Sequence, residues 1–296
     1  MDACANGLPL RRVASLVEDV RHAVLHTSSR FWRGTFLFAG MLGCGFLSSR
    51  EVDGVSAEKI SSARETETAI AMRFDGRLDA EGFPVSAAWD NAPAIRFDSD
   101  WQGKNADPQR ETQVQLLWTP DALYLKFVAR YRTISVFTDG EPSGWRDKLW
   151  ERDVAEVFLQ PPESSARQYK EIEVSPNGLW IDLDIAPGEK RELQSGLWRR
   201  AKVDEQNKTW VAELALPMKG LTAQFDPTKT WRVNFFRVEG ASEPRFYSAW
   251  RPTGTPVPNF HVPDCFAKLV FEPQLNARNQ WTEHWRHAAF FSMLLG

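Results

Sequence analysis

Residues 122–131, ALYLKFVARY, alternate with a period of two: Leu123, Leu125, Phe127 and Ala129 make one apolar face, while Tyr124, Lys126, Val128 and Arg130 make a mixed one. A strand of this kind buries one side against a partner layer. Comparable runs recur along the chain at 113–118, 154–160, 168–174, 179–185, 197–203, 210–216, 231–238, 246–250 and 267–271. Turn signals separate them, among them Thr119-Pro120-Asp121, Pro176-Asn177-Gly178, Pro187-Gly188 and Glu205-Gln206-Asn207. Roughly ten strands in about 200 residues, with no long helical pattern between them, predict an all-β domain, an antiparallel two-sheet sandwich of jelly-roll type.

The 296 residues are 43% hydrophobic and 25% charged, with a formal net charge of -3. That balance lacks the basic stripe of a nucleic-acid binder. Thirteen Trp stand against four Tyr, an excess that suits either stacking of flat ligands or the core of an all-β domain. Ahead of the domain, Arg30 and Arg33 precede the apolar run FLFAGMLGCGFL at 36–47, which is short for a bilayer span and fits the apolar segment of an export signal. Within it, Met41-Leu42-Gly43-Cys44 resembles a bacterial lipobox, which implies acylation at Cys44. The expected organisation is therefore an export and lipobox region at 1–47, a polar linker at 48–68, the sandwich at 69–272, and a tail at 273–296. Helical spacing in residues 1–29 and at Trp281, Trp285 and Ala289 predicts short helical extensions at both ends. Cys4, Cys44 and Cys265 lie far apart and lack metal-ligand spacing.

Residues 145–158, WRDKLWERDVAEVF, set tryptophans among charges and then turn into a strand. Burying the whole segment would carry its charged side chains out of water, so at least one ring is expected at solvent or a ligand. In the strand, Ala155, Val157 and Leu159 share one face, and Val154, Glu156 and Phe158 the other. Glu156 is thus aimed to the side where Trp150 can meet it, although a solvated rim of ion pairs explains the same pattern. Glu171 and Glu173 share a strand face at i, i+2, roughly 7 Å apart, near the spacing of inverting glycosidases but side by side, which favours an exposed strand face. His261 and Met218 are the candidates for axial ligands in an alternative haem or electron-transfer reading. No GxSxG, Walker, Rossmann or HExxH pattern occurs.

The order of several phrases resembles the family 9 carbohydrate-binding modules: Phe74-Asp75-Gly76, Trp89, Leu116-Leu117-Trp118, Ala122-Leu123-Tyr124-Leu125, Trp150-Glu151-Arg152-Asp153-Val154-Ala155-Glu156-Val157-Phe158, Glu173-Val174-Ser175-Pro176-Asn177-Gly178, Trp231-Arg232-Val233-Asn234-Phe235-Phe236-Arg237 and Phe260-His261-Val262-Pro263. The likeness runs over residues 70–272. It implies a β-sandwich that holds sugar between two Trp faces, beside or attached to glycoside hydrolases of polysaccharide breakdown. On that resemblance Trp150 and Trp250 are the clamp rings, Glu156 the hydroxyl acceptor and Arg237 the basic partner. It also implies structural calcium, with Asp75 and Asp79 as contributors. The expected partner is a mono-, oligo- or polysaccharide, bound non-catalytically by an exported protein whose membrane contact is limited to an N-terminal anchor. The alternative from the enzyme class is a glycoside hydrolase acting through Glu156 and Glu173.

Overall fold

The computed structural model describes residues 68–273, apart from Pro142. The export region with Cys44, the linker and the C-terminal tail lie outside the described residues. Thirteen strands form: β1 (Thr68–Arg73), β2 (Ile95–Phe97), β3 (Thr112–Trp118), β4 (Ala122–Arg130), β5 (Val154–Gln160), β6 (Tyr169–Val174), β7 (Trp180–Ala186), β8 (Glu189–Glu192), β9 (Trp198–Asp204), β10 (Thr209–Pro217), β11 (Trp231–Glu239), β12 (Phe246–Ala249) and β13 (Ala267–Glu272). A single helical turn, Met218–Leu221, and four short 3-10 turns are the helical content of the described residues.

The expectation of two antiparallel sheets is corrected in one respect. The strands belong to one mixed sheet, ordered β8-β7-β6-β5-β11-β13-β1-β3-β4-β10-β9, with β12 added to β11 and β2 to β3. The join is β1, which pairs in parallel with β13 on one side and with β3 on the other. Alternation along a strand tells which side chains share a face, but it carries no information on whether facing layers are hydrogen-bonded at their edge. Ala69 and Ala71 of β1, both fully buried, put small side chains on the inner face.

The sheet curls so that its two halves face each other. Phe127 of β4 and Phe235 of β11 meet edge to face with ring centroids 6.2 Å apart, although several strands separate them in the sheet. Leu116, Leu125, Val157, Ile172, Trp210 and Leu214 fill the same inner core. The predicted faces of β4 and β5 are those observed: Leu125, Phe127, Ala155 and Val157 point inward. Two patches remain on the outer face. One, around Met72, Leu117 and Tyr124, is covered by Phe74 and Trp89. The other, around Phe158, Tyr169, Phe236 and Val238, is covered by Leu149, Phe260 and Phe266.

Because Phe127 bridges the two halves from a fully buried position, Phe127→Ala is expected to cost about 3–5 kcal/mol, read as a shift of the urea unfolding midpoint without a change in slope.

Candidate functional site

A cavity of about 240 Å3 opens on the second outer patch, lined by Trp150, Glu156, Phe158, Glu171, Glu173, Val238, Arg245, Tyr247 and the loop residues Pro258 to His261. Strand register builds its floor. Glu156 stands opposite Glu173 across β5 and β6, Phe158 stands opposite Glu171, and on the other side Phe236 of β11 flanks Glu156. These residues share the outer face because they have the parity opposite to Val157, Ile172 and Phe235, which the inner core requires.

The walls come from loops. Lys148 adopts a left-handed conformation, with φ of 56°, at the head of the turn Leu149–Glu151. Leu149 is thereby fully buried, and Trp150 is left half-buried at the cavity. Arg245 donates a hydrogen bond of 2.8 Å to the Trp150 carbonyl, which fixes that turn against the β11–β12 connection. Opposing segments supply Tyr247 and Phe260, and Phe260 stacks on Phe236 with centroids 4.3 Å apart. The loop carrying Pro258 to His261 is anchored upstream, where Trp101 Nε1 and Gln102 Nε2 each donate to the Thr255 carbonyl at 2.9 Å.

The floor is electrostatically unusual. Glu156, Glu171 and Glu173 are 2%, 2% and 0% exposed. Glu156 Oε1, Glu171 Oε2 and both carboxyl oxygens of Glu173 have no hydrogen-bond partner as charged groups; a protonated Glu173 can donate to Glu171 beside it. Burial, reinforced by the neighbouring Glu171, raises the pKa of Glu156 well above the carboxylate range. Burial, reinforced by Glu156 and Glu171, does the same for Glu173. Beside them the Tyr169 hydroxyl and His261 Nδ1 lie 2.6 Å apart, and burial followed by the charge of Glu171 raises the phenol's pKa. Tyr247, desolvated and hydrogen-bonded to Glu243, has its pKa raised to about 12.

The residues named from sequence divide between two faces. Trp150 and Glu156 meet at the cavity. Trp250 does not line it: it is 8% exposed in the inner core, tilted against Phe235 at 5.6 Å. Arg237 is also on the inner side, 1% exposed, with its guanidinium 5.1 Å from the Trp210 ring centroid. It sits 3.8 Å from Asp153 and 3.6 Å from Glu239, so its charge is spent within a buried cluster. The positions follow from parity, since Arg237 falls in step with Phe235 and away from Phe236 and Val238.

Glu171 and Glu173, expected on an exposed strand face, are instead buried in the floor, as is Glu156 where a solvated rim was the simpler expectation. The loops that cover β5 and β6 are distant in sequence, so exposure was not readable from the strands. What was readable is that Tyr169, Glu171 and Glu173 share a face, and that Phe260-His261 forms a compact aromatic phrase. Met218 lies in the inner core and His261 at the outer cavity, so the two axial candidates are not brought together.

Asp75 and Asp79 do not fit a calcium site. Asp75 pairs with Arg73 at 3.0 Å. Asp79 Oδ1 accepts from the backbone N–H groups of Glu81 and Phe83, and Oδ2 receives Arg200 at 2.7 Å. Hydrogen bonds led by that from Phe83 hold the Asp79 carboxyl below its usual pKa. Among the described residues no group of three or more His, Cys, Asp or Glu has the arrangement of a metal site.

A concave, open-mouthed cavity with aromatic walls and polar groups converging on its floor is the form of a small-ligand site. The chain belongs to the carbohydrate family 9 binding domain-like family, whose model matches residues 78–238, more than half of its length. An "Extracellular protein" of Arthroderma benhamiae is 24% identical over 194 residues, covering 60% of this chain and 85% of that protein. Among solved structures, a putative carbohydrate-binding protein of Bacteroides uniformis shares the fold with a TM-score of 0.57 at 17% identity, covering 70% of this chain and 99% of that one. A family 9 carbohydrate-binding module of Caldicellulosiruptor kristjanssonii, solved in complex with glucose, aligns with a TM-score of 0.50 at 14% identity, covering 71% and 97% of the two chains.

Since Glu156 and Glu173 hold their protons more tightly in the folded protein than in the unfolded chain, the stability linked to them is present in acid. It is lost as pH rises from the ordinary carboxylate range, about 4.3, through their raised values. Glu173→Gln is therefore expected to raise stability at pH 7.5 by about 1–2 kcal/mol and to flatten its pH dependence between about pH 5 and 8, measured by urea unfolding across that range.

Proposed function

We propose that the outer-face cavity binds a carbohydrate without cleaving it. The observation that carries this reading is the set of buried carboxyl oxygens without partners, at Glu156, Glu171 and Glu173, beneath aromatic walls. A pyranose presents an apolar C–H face and a rim of hydroxyls, so it needs a flat ring surface and hydrogen-bonding groups at its edge. Trp150, Tyr247 and Phe260 supply rings, and the glutamates supply acceptors, or donors when protonated. A volume of about 240 Å3 is below the range of about 300–1,000 Å3 common for drug-sized ligands, which suits one sugar unit with the rest of the chain outside. The family assignment and the glucose-bound fold relative support the same ligand class. In this reading Trp150 remains a clamp ring, and the opposing surface is supplied by Phe260 and Tyr247 where Trp250 had been expected.

A second reading, hydrolysis, is favoured by the juxtaposition of Glu156 and Glu173, two acids with raised pKa values on paired positions of adjacent strands. Against it, both project from one floor, whereas glycoside cleavage needs carboxyls flanking the bond. Release of reducing ends from oligosaccharides, abolished in Glu156→Gln, decides for hydrolysis.

We also infer export, supported by the apolar run at 36–47 and by the relative named as extracellular. Lipid attachment at Cys44 and an association with glycoside hydrolases extend that reading. In a bacterial expression host, labelled palmitate is expected to enter the full chain and to be absent from Cys44→Ser; equal labelling of both removes the anchor.

For the sugar site, Trp150→Ala is expected to weaken binding of a cello-oligosaccharide about tenfold or more in calorimetry, with an unchanged far-UV spectrum and a melting shift of a few degrees at most. Unchanged affinity would sink the assignment of Trp150.

A further inference from the structure

The cavity holds an excess of acid that its own side chains do not neutralise. Besides Glu156, Glu171 and Glu173, the titratable and charged groups facing it are Tyr169, Lys190, Arg245, Tyr247 and His261. Arg245 is already committed, with Nε 3.1 Å from Glu243 and Nη1 on the Trp150 carbonyl. His261 Nδ1 is shared with the Tyr169 hydroxyl and stands 3.8 Å from Glu171 Oε2, beyond hydrogen-bond reach. Lys190, from exposed β8, acts on Glu156 and Glu173 at a distance, but its ammonium rests over the Trp150 ring, 3.8 Å from the centroid. Among the described residues, no cation forms an ion pair with Glu156 or Glu173, and Glu173 is fully buried with both oxygens open.

The open carboxyls describe what the site would welcome. The floor offers carboxyl groups that lack a charged donor, and the ring beside it already carries an ammonium on its face. A neutral hexose meets the floor with hydroxyl donors alone. A ring bearing a protonated amine adds three N–H donors and a charge in a site of low dielectric, where charge-assisted hydrogen bonds are about twice as strong as neutral ones. The Lys190 ammonium already occupies one Trp150 face, so the ligand's ammonium is left to the carboxyls.

Building on the carbohydrate reading above, we infer that the cavity selects amino sugars: hexose units whose ring carries a protonated amine, with the ammonium directed to Glu156 and Glu173 and the ring against Trp150. N-acetylation of the amine removes the charge and the preference with it. An ammonium between Glu156 and Glu173 favours their ionised forms, the opposite of what their burial does, so docking is linked to proton release.

The experiment is calorimetry on the full chain at pH 6 and 150 mM salt with three probes of one length: a β-1,4-linked glucosamine trimer, its fully N-acetylated counterpart, and cellotriose. The glucosamine trimer is expected to bind at least tenfold more tightly than the other two, with proton release seen as a dependence of the measured heat on buffer. That advantage is expected to collapse to less than threefold in both Glu173→Gln and Glu156→Gln, so that one misfolded variant does not decide the outcome. If cellotriose binds as tightly as the glucosamine trimer, the amino-sugar selectivity falls while the carbohydrate site stands. If none of the three binds, both fall. If the glucosamine advantage persists in Trp150→Ala and in both glutamine variants, the ammonium is held elsewhere and the assignment is overturned.

Discussion

The architecture depends on β1, a six-residue strand hydrogen-bonded in parallel to β13 on one side and to β3 on the other. Its pairing turns what would be two separate layers into one sheet curled around a shared core. Closing that core consumes one full face of the strands, including Phe127, Trp210, Val157 and Phe235. The opposite face of β5, β6 and β11 is thereby released from the task of holding the halves together, and it is there that loops assemble the cavity. Fold and site thus divide the residues of a strand by parity: Ala155 and Val157 serve one, Glu156 and Phe158 the other.

Much of this division was legible in the sequence. The alternation of residues 122–131 and 154–160 identified the inward faces correctly, and the ten runs read as strands fell near β3–β7 and β9–β13, while β1 was not read as a strand. β2, three residues long, and β8, whose four residues are all exposed, carry too little periodicity to be seen. The parallel pairings of β1 escaped notice because its partners lie 45 positions away in β3 and 200 away in β13. Trp150 and Glu156 were legible as a pair because a turn and the following strand hold them locally. Trp250 was not, since the resemblance supplied a role for a ring at that position without saying which face it would occupy. Glu171 and Glu173 were misjudged because a strand rich in charge ordinarily faces water, and only loops from residues 149–150 and 258–261 make this one dry.

Leaving carboxyl groups open in a low-dielectric site opposes folding, since each open oxygen forgoes the hydrogen bonds it would make to water. The inner side of the same sheet region handles charge differently. There Arg237 is enclosed with Asp153 and Glu239, and Arg110 reaches Glu239 at 3.2 Å, so the acids have counter-charges nearby. Two buried acidic groupings therefore sit on opposite faces of β5 and β11. Asp153 Oδ2 and Glu239 Oε2 also lack a hydrogen bond, so what sets the outer group apart, among the described residues, is the absence of a guanidinium within 4 Å of Glu156 or Glu173.

The side-by-side placement of β1 and β13 has a mechanical corollary. Since they run in the same direction, with Thr68 beside Lys268 and Met72 beside Glu272, the chain enters the domain at one end of this pair and leaves at the other. A pull applied between residue 68 and residue 273 would load the ladder between the two strands along their length. All of its bonds would then resist together as a shear clamp, where a hairpin pulled from its open end would unzip one rung at a time.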